Sequence, residues 1–317
     1  MRIFLAGASG AVGKRLVPAL VIKGHQVAGM VHSPGKADWV KSMGAEPIVA
    51  NGLDADAVQQ AVARFRPEVI INQMTALSPD FNPRKFDQVF ATTNRLRTEG
   101  NDNLLAAAKG SGVRRFIAQS YAGWPYARTG GPVKRETDPL DPNPPQPMRN
   151  TLTAIRHLES ATSESGLEGI ILRYGSFYGP GTTSGGMLDQ IRKRRMPVVG
   201  DGGAIWSFLH IDDAAHATVA AAEGGAPGVY NVVDEEPATV ASWLPELARL
   251  TGSQPPHHVP VWLARFLIGE AGVIMMTTTR GASNQKAKME LGWTPFWKSW
   301  RDGFRNEIDE KREAKAA

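Results

Sequence analysis

The sequence predicts an α/β fold, a doubly wound parallel sheet with helices on both faces and a smaller C-terminal lobe. Three observations lead there. Short apolar runs alternate with helix-period segments through the first half of the chain. A glycine loop joins the first apolar run directly to the first helical segment. After Gly175 the alternation weakens, with glycine turns at Gly179-Pro180-Gly181 and across 200–203.

Taken in order, residues 3–6 read as a buried strand and 11–23 as a helix. A strand at 27–31, a helix at 36–43, a strand at 46–49 and a helix at 54–65 continue the pattern. The fourth strand is 69–72, followed by a loop rich in Pro, Asp and Asn over 78–83. A long helical stretch then runs towards Lys109, and 115–118 is the fifth strand. Residues 130–147 are dense in proline and acidic groups, a long loop of the kind that serves as a functional flap. A helix over 149–165 and a strand over 169–173 come next. Segments 239–251 and 261–267 read as helices of the smaller lobe, and 297–315 as a mixed-charge helix on a solvated face.

The 317 residues suffice for one large α/β unit or two joined lobes, and 42% hydrophobic with 21% charged content is ordinary for a globular enzyme. The absence of cysteine excludes disulfides, thiolate chemistry and cysteine-ligated zinc, and fits a cytoplasmic protein. The densest cationic run, Arg192-Lys193-Arg194-Arg195, has no interleaved aromatics and lies just before Pro197. A helix C-terminus explains it better than a phosphate patch, so no nucleic-acid partner is expected. No targeting segment or apolar run of membrane length is apparent, so no membrane partner is expected either. His257-His258 lacks the spacing of a metal site, and His210 reads as packing or capping near Asp212-Asp213; no metal is expected.

The loop Gly7-Ala8-Ser9-Gly10-Ala11-Val12-Gly13 stands between the first strand and first helix. Amides at a helix N-terminus attract a pyrophosphate, and glycines let it approach the backbone. The reading is a Rossmann-type domain binding a nicotinamide dinucleotide, with Gly7, Ser9, Gly10, Ala11, Val12 and Gly13 as contacts. NAD usually asks for a carboxylate after the second strand. Here the chain reads Met30-Val31-His32-Ser33-Pro34-Gly35-Lys36, with Lys14 after the last glycine. Hydroxyl and cationic groups at His32, Ser33 and Lys36 favour NADP over NAD. Leu53, within Asn51-Gly52-Leu53-Asp54, is placed to border the adenine; Thr75 and Tyr174 complete the expected cofactor set. The expected division is a dinucleotide-binding domain over 1–175 that also takes in about 205–235. Residues 176–204 and 236–317 form the substrate lobe.

Further segments recur in order: Leu172-Arg173-Tyr174 with Tyr178-Gly179-Pro180-Gly181, His210-Ile211-Asp212-Asp213-Ala214, Tyr230-Asn231-Val232, and Leu291-Gly292-Trp293. With these and the glycine spacing, the chain resembles the extended short-chain dehydrogenase/reductase family, specifically its NAD-dependent epimerase/dehydratase-like members. The resemblance implies a Tyr-x-x-x-Lys pair on a helix and a Ser or Thr after the fifth strand. The tyrosine exchanges a proton with the substrate oxygen, and the lysine lowers its pKa.

Here the chain departs from the pattern, since no tyrosine is followed by a lysine four residues later. With Glu159 as anchor, Thr151 falls at the tyrosine position and Ile155 at the lysine position. Tyr121, in Gln119-Ser120-Tyr121 after the fifth strand, is the replacement candidate, with Ser120 and Thr151 beside it as catalytic candidates. The plainer alternative is that Tyr121, Trp124 and Tyr126 form only an aromatic wall. Arg156 and His157 point to other helix faces than Ile155.

Ser176 and Trp206 stand where nucleotide-sugar members carry an Asn and an Arg, which makes the pocket more apolar and disfavours such a substrate. Tyr126, Ser176, Tyr178 and Trp206 are the expected substrate contacts. The expected function is an NAD(P)-dependent oxidoreductase acting on a small carbonyl or hydroxy compound. A non-redox isomerase, cyclase or dehydratase that retains its cofactor, or a cofactor-sensing binding protein, are the alternatives. A homodimer is left open.

Overall fold

The computed structural model describes residues 1–77 and 81–316, with side chains through residue 310. Positions 78–80 of the expected 78–83 loop lie outside the described residues. Among the described residues, seven parallel strands form the central sheet: β1 (Arg2–Ala6), β2 (Gln26–Val31), β3 (Glu46–Val49), β4 (Val69–Asn72), β5 (Arg115–Tyr121), β6 (Glu168–Tyr174) and β7 (Gly228–Val232). Their spatial order is β3-β2-β1-β4-β5-β6-β7, which places a crevice where the order reverses beside β1.

The strands read as near-continuous apolar runs because both faces are covered. Ile3, Leu5, Val69, Ile71 and Ile117 point to one face, where Leu16, Val17 and Leu20 of α1 (Gly13–Ile22) pack. Phe4, Ile70 and Phe116 point to the other, against Val58, Val62 and Phe65 of α2 (Ala55–Phe65) and Leu104 of α3 (Asn101–Ala108). Each such fully buried side chain stabilises the fold by about 1.5–3 kcal/mol. Helix α2 is capped by Asp54, whose side chain accepts from Ala57 N at 3.0 Å.

The remaining helices named below are α4 (Arg149–Ser163), α5 (Ser184–Arg192), α6 (Ile211–Glu223), α7 (Val240–Leu250), α8 (Val261–Thr277) and α9 (Trp300–Ala316). A separate apolar cluster joins Tyr178, Phe208, Trp243, Leu244, Trp300 and Phe304 away from the central sheet. The Arg192–195 run does end a helix: α5 stops at Arg192, which pairs with Asp189, while Arg194 is held by Gln254 and the Pro255 carbonyl.

Three sequence readings need correction. The fifth strand does not end at Ala118; it pairs with β6 rung by rung as far as Tyr121 opposite Tyr174. Ser120 and Tyr121 are therefore strand residues rather than loop residues, disguised by the polar pair Gln119-Ser120. Helix α8 does not stop at Leu267 but continues to Thr277 through a break at Gly269, whose φ of 72° suits glycine. Its second half buries the apolar Val273–Met276 run. Finally, the helical stretch before Lys109 is not one helix. It comprises short α-turns at Phe86–Val89 and Ala91–Arg95, a π-helical turn at Leu96–Gly100, and α3.

Candidate cofactor and active site

The glycine loop is shaped by backbone crowding on one side and openness on the other. Gly7 has φ +90°, and a Cβ there would lie 2.6 Å from the Gln73 carbonyl oxygen; one on Gly13 would run into the Gly7 and Ala8 carbonyls. Gly10 is exposed, with only the Gly7 oxygen, at 3.3 Å, near its would-be Cβ. Two glycines thus permit the tight loop, and the third keeps its outer side clear. The Lys14, Arg15 and Leu16 amides already bond to the Gly10 and Val12 carbonyls, so the fit to a pyrophosphate rests on the open outer side of the loop and the positive end of α1.

Ser9 and Ala11 are half-buried and Val12 is buried in the same loop. Past β2, His32 and Lys36 are exposed and Ser33 half-buried, with Lys14 exposed on α1. Leu53 is half-buried and donates its N–H to Asn51 Oδ1 at 3.1 Å. Tyr174 is buried; its hydroxyl pairs with Thr218 Oγ1 at 2.6 Å and accepts from Gln73 Nε2 at 3.1 Å, and burial pushes it up to about 12. Arg15 of α1 pairs with Asp212 at 2.9 Å and donates to the Pro180 carbonyl, tying the Gly179–Gly181 turn to the cofactor side. His210 caps α6, accepting from Asp212 N, and burial pushes its pKa down. No group of three or more His, Asp or Glu among the described residues is placed to hold a metal ion.

At the C-terminal ends of β4, β5 and β6 lies a cavity of about 420 Å³. Thr75, Gln119, Ser120, Tyr121, Tyr174 and Ser176 line its sheet side, and Thr151 and Ile155 of α4 line another wall. Phe86, Phe90, Trp124, Trp206, Ile268, Met275 and Met276 make most of the rest apolar. The structure therefore brings together Tyr121, Ser120, Thr151, Ser176 and Trp206. Tyr121 and Ser176 share a hydrogen bond between hydroxyls at 2.9 Å. Burial raises the Tyr121 pKa, and the Ser176 bond only partly offsets it. The Trp206 indole donates to the Met275 carbonyl at 2.7 Å, fixing its ring as wall.

The other two catalytic candidates are already engaged. Ser120 donates to Glu159 Oε1 at 2.6 Å. Thr151 donates to Asp87 Oδ1 at 2.6 Å and accepts from Asn94 Nδ2 at 3.0 Å. Arg156 and His157 turn away, to the Asp141 carbonyl and to Asp102 respectively.

Tyr126 and Tyr178, expected as substrate contacts, stand outside the cavity wall. Tyr126 is fully buried, donating to Asn231 Oδ1 at 2.6 Å and accepting from Arg173 at 2.9 Å. Tyr178 stacks on Phe304 with ring centroids 4.5 Å apart. Behind the cavity, Arg173 grips Glu159 through Nε at 2.8 Å and Nη2 at 2.6 Å. Burial opposes the charge on Arg173, yet Glu159 holds its pKa above the ordinary arginine range.

One cavity residue carries no sequence signal of its role. Arg97, in the π-helical turn, lines the wall at only 8% exposure. Its Nη1 lies 3.5 Å from Asn94 Oδ1, its guanidinium 5.9 Å from the Phe90 ring centre, and burial pushes its pKa down to about 10. In the sequence it is one of several basic residues in a helical stretch.

A glycine cradle at the head of the first helix, together with a cavity at the strand ends, defines a dinucleotide-dependent enzyme. The chain belongs to the NAD dependent epimerase/dehydratase family, whose pattern it matches over residues 3–232. It is an NAD-dependent oxidoreductase of the extended short-chain type.

A Streptomyces sp. protein named 3-diazoavenalumate denitrifying reductase is 42% identical over 97% of this chain and 100% of its own length. A Stigmatella aurantiaca protein named 4-hydroxy-2-methyl-3-oxo-4-farnesyl-3,4-dihydroquinoline-1-oxide ketoreductase is 27% identical over 80% of this chain and 74% of its own. Among solved structures, the UDP-glucose 4-epimerase of Thermotoga maritima with UDP-glucose superimposes with a TM-score of 0.76 at 22% identity, covering 99% of each chain. That likeness is one of fold. No helix among the described residues is long and apolar enough to cross a membrane.

Proposed function

We propose that this protein is an NADP-preferring reductase that removes the diazo group of a compact aromatic substrate. The observation that carries the reading is the wall contributed by α4. Ile155 offers no proton and the Thr151 hydroxyl donates its hydrogen bond to Asp87, so α4 presents no acid to an alkoxide and leaves proton transfer to Tyr121. The 42%-identical reductase, named for a diazo compound, supplies the reaction class.

When bound, the reduced nicotinamide supplies hydride to the terminal nitrogen of an aryl diazonium, with the balance ArN₂⁺ + NADPH → ArH + N₂ + NADP⁺. The aryl diazene ArN=NH lies between; its N–H proton is lost and the ring carbon takes one up as dinitrogen leaves. Tyr121, kept protonated at neutral pH by burial and held by Ser176, relays that proton. Ser120 and Thr151 act as positioning residues through Glu159 and Asp87. Phe86, Phe90, Trp124 and Trp206 line the cavity with aromatic surface, which suits an aromatic cation.

His32, Ser33, Lys36 and Lys14 support NADP over NAD, since no carboxylate follows β2 to repel a 2′-phosphate. In this reading residues 1–175, with about 205–235, hold the cofactor, and 176–204 with 236–317 hold the substrate. The lack of cysteine fits work in the cytoplasm.

The test mixes the full chain anaerobically with 3-diazoavenalumate and either NADPH or NADH. Expected is one dinitrogen released per NADPH consumed, slower turnover with NADH, and a loss of about 10²-fold in kcat for Tyr121→Phe at unchanged NADPH affinity. Turnover of simple ketones without consumption of the diazo compound would replace this reading by carbonyl reduction. Equal or better use of NADH would reverse the cofactor assignment.

A further inference from the structure

Arg97 is a deeply buried cation on the wall of a largely apolar cavity, and the described residues do little to neutralise it. A guanidinium carries five N–H donors in a flat fork. Among the described residues the acceptor in reach is Asn94 Oδ1, at the 3.5 Å limit of a hydrogen bond. Among the described carboxylates Glu159 is the one that Arg97 feels electrostatically, but its oxygens are taken by Arg173 and Ser120. An arginine left this way is strongly desolvated and gains most from an anion that matches its fork.

Its place in the backbone adds a second, independent pointer. The π-helical turn at Leu96–Gly100 interrupts an otherwise α-helical path, and such turns recur at functional sites. Much of the rest of the wall is apolar, and Ser120, Thr151 and Ser184 on it are already hydrogen-bonded.

We propose that Arg97 is the specificity-determining residue of this cavity and grips a carboxylate on the substrate, so that the enzyme takes aromatic acids rather than their neutral counterparts. This rests on reading the cavity as the substrate site. Arg97 forms a bidentate pair with the carboxylate, while the aromatic and methionine side chains hold the apolar body. The second cavity-lining cation, Arg195, is exposed and hydrated, and contributes little to the same recognition.

The test uses the full chain saturated with NADP⁺ and a near-isosteric pair of probes, cinnamate and cinnamamide, followed by calorimetry. Wild type binds cinnamate about 10-fold more tightly or better, as a charge-assisted fork requires. Arg97→Met erases that preference and leaves cinnamamide affinity within about twofold, whereas Arg195→Met leaves the preference intact. Arg97→Lys keeps the charge without the fork and retains part of it.

No preference for cinnamate in wild type, including no binding of either probe, overturns the proposal. So does a preference that survives Arg97→Met or is lost with Arg195→Met. If Arg97→Met does not fold, Arg97→Gln is read in the same way, and the wild-type comparison decides by itself. Failure of the reductase reading shows elsewhere, as no NADPH consumption with the diazo compound by a protein that still prefers cinnamate. Equal probe binding with normal diazo turnover removes the anchor and leaves the reductase.

Discussion

Arg173 and Arg97 are buried to nearly the same depth, at 5% and 8% exposure, and keep opposite company. Arg173 is closed into a network in which Glu159, Ser120, Tyr126 and Asn231 pass hydrogen bonds between β5, α4, β6 and β7. Among the described residues Arg97 has only the long contact to Asn94 Oδ1, while the Glu159 oxygens are taken by Arg173 and Ser120. A satisfied buried charge is a piece of architecture: it locks neighbouring elements in one arrangement. An unsatisfied one on a cavity wall is a piece of recognition, held at the expense of stability until a ligand arrives.

The largest effect that would sharpen this contrast is on the Arg173 side. Glu159→Leu strands the guanidinium in the interior and should lower the unfolding free energy by about 3–5 kcal/mol in urea titration. A loss below about 1 kcal/mol would mean the network is ornament and the contrast false. Tyr126→Phe is the intermediate case. It removes the donor to Asn231 and one acceptor for Arg173, and a loss of about 1–3 kcal/mol is expected. The smallest effect is expected at Arg97, where Arg97→Met replaces a poorly paired cation with an apolar side chain of similar length. Stability should stay within about 1 kcal/mol of wild type or rise. A loss as large as that of Glu159→Leu would make Arg97 structural after all.

Much of the fold was legible because its signals are local. The alternation of 69–72 with 115–118 and 169–173, and glycines set between strand and helix, need no knowledge of the far end of the chain. The family segments also led to Tyr121, Ser176 and Trp206, which the structure gathers around one cavity. What escaped depended on distant partners. Gln119-Ser120-Tyr121 looks like a loop until β6 supplies the ladder that extends β5. Tyr126 reads as a substrate contact until Asn231 and Arg173 claim its hydroxyl in the interior. Leu267 looks like a helix end because Gly269 follows two residues later, yet α8 resumes and its second half helps close the cavity. Arg97 was the hardest case, since burial of a cation and a π-helical turn are both invisible in residue type.

The position of Tyr121 at the last rung of β5, opposite Tyr174, has a consequence for how such an enzyme diversifies. A residue pinned by a backbone ladder keeps its place when surrounding side chains change. Most of the apolar cavity wall belongs instead to α8, to the turns before α3 and to α4. In the proposed reading, reaction geometry and substrate choice are thus written largely on separate parts of the chain. Drift or laboratory selection can rewrite Met275, Met276, Phe90 or Arg97 to admit new molecules without re-siting the group that meets them.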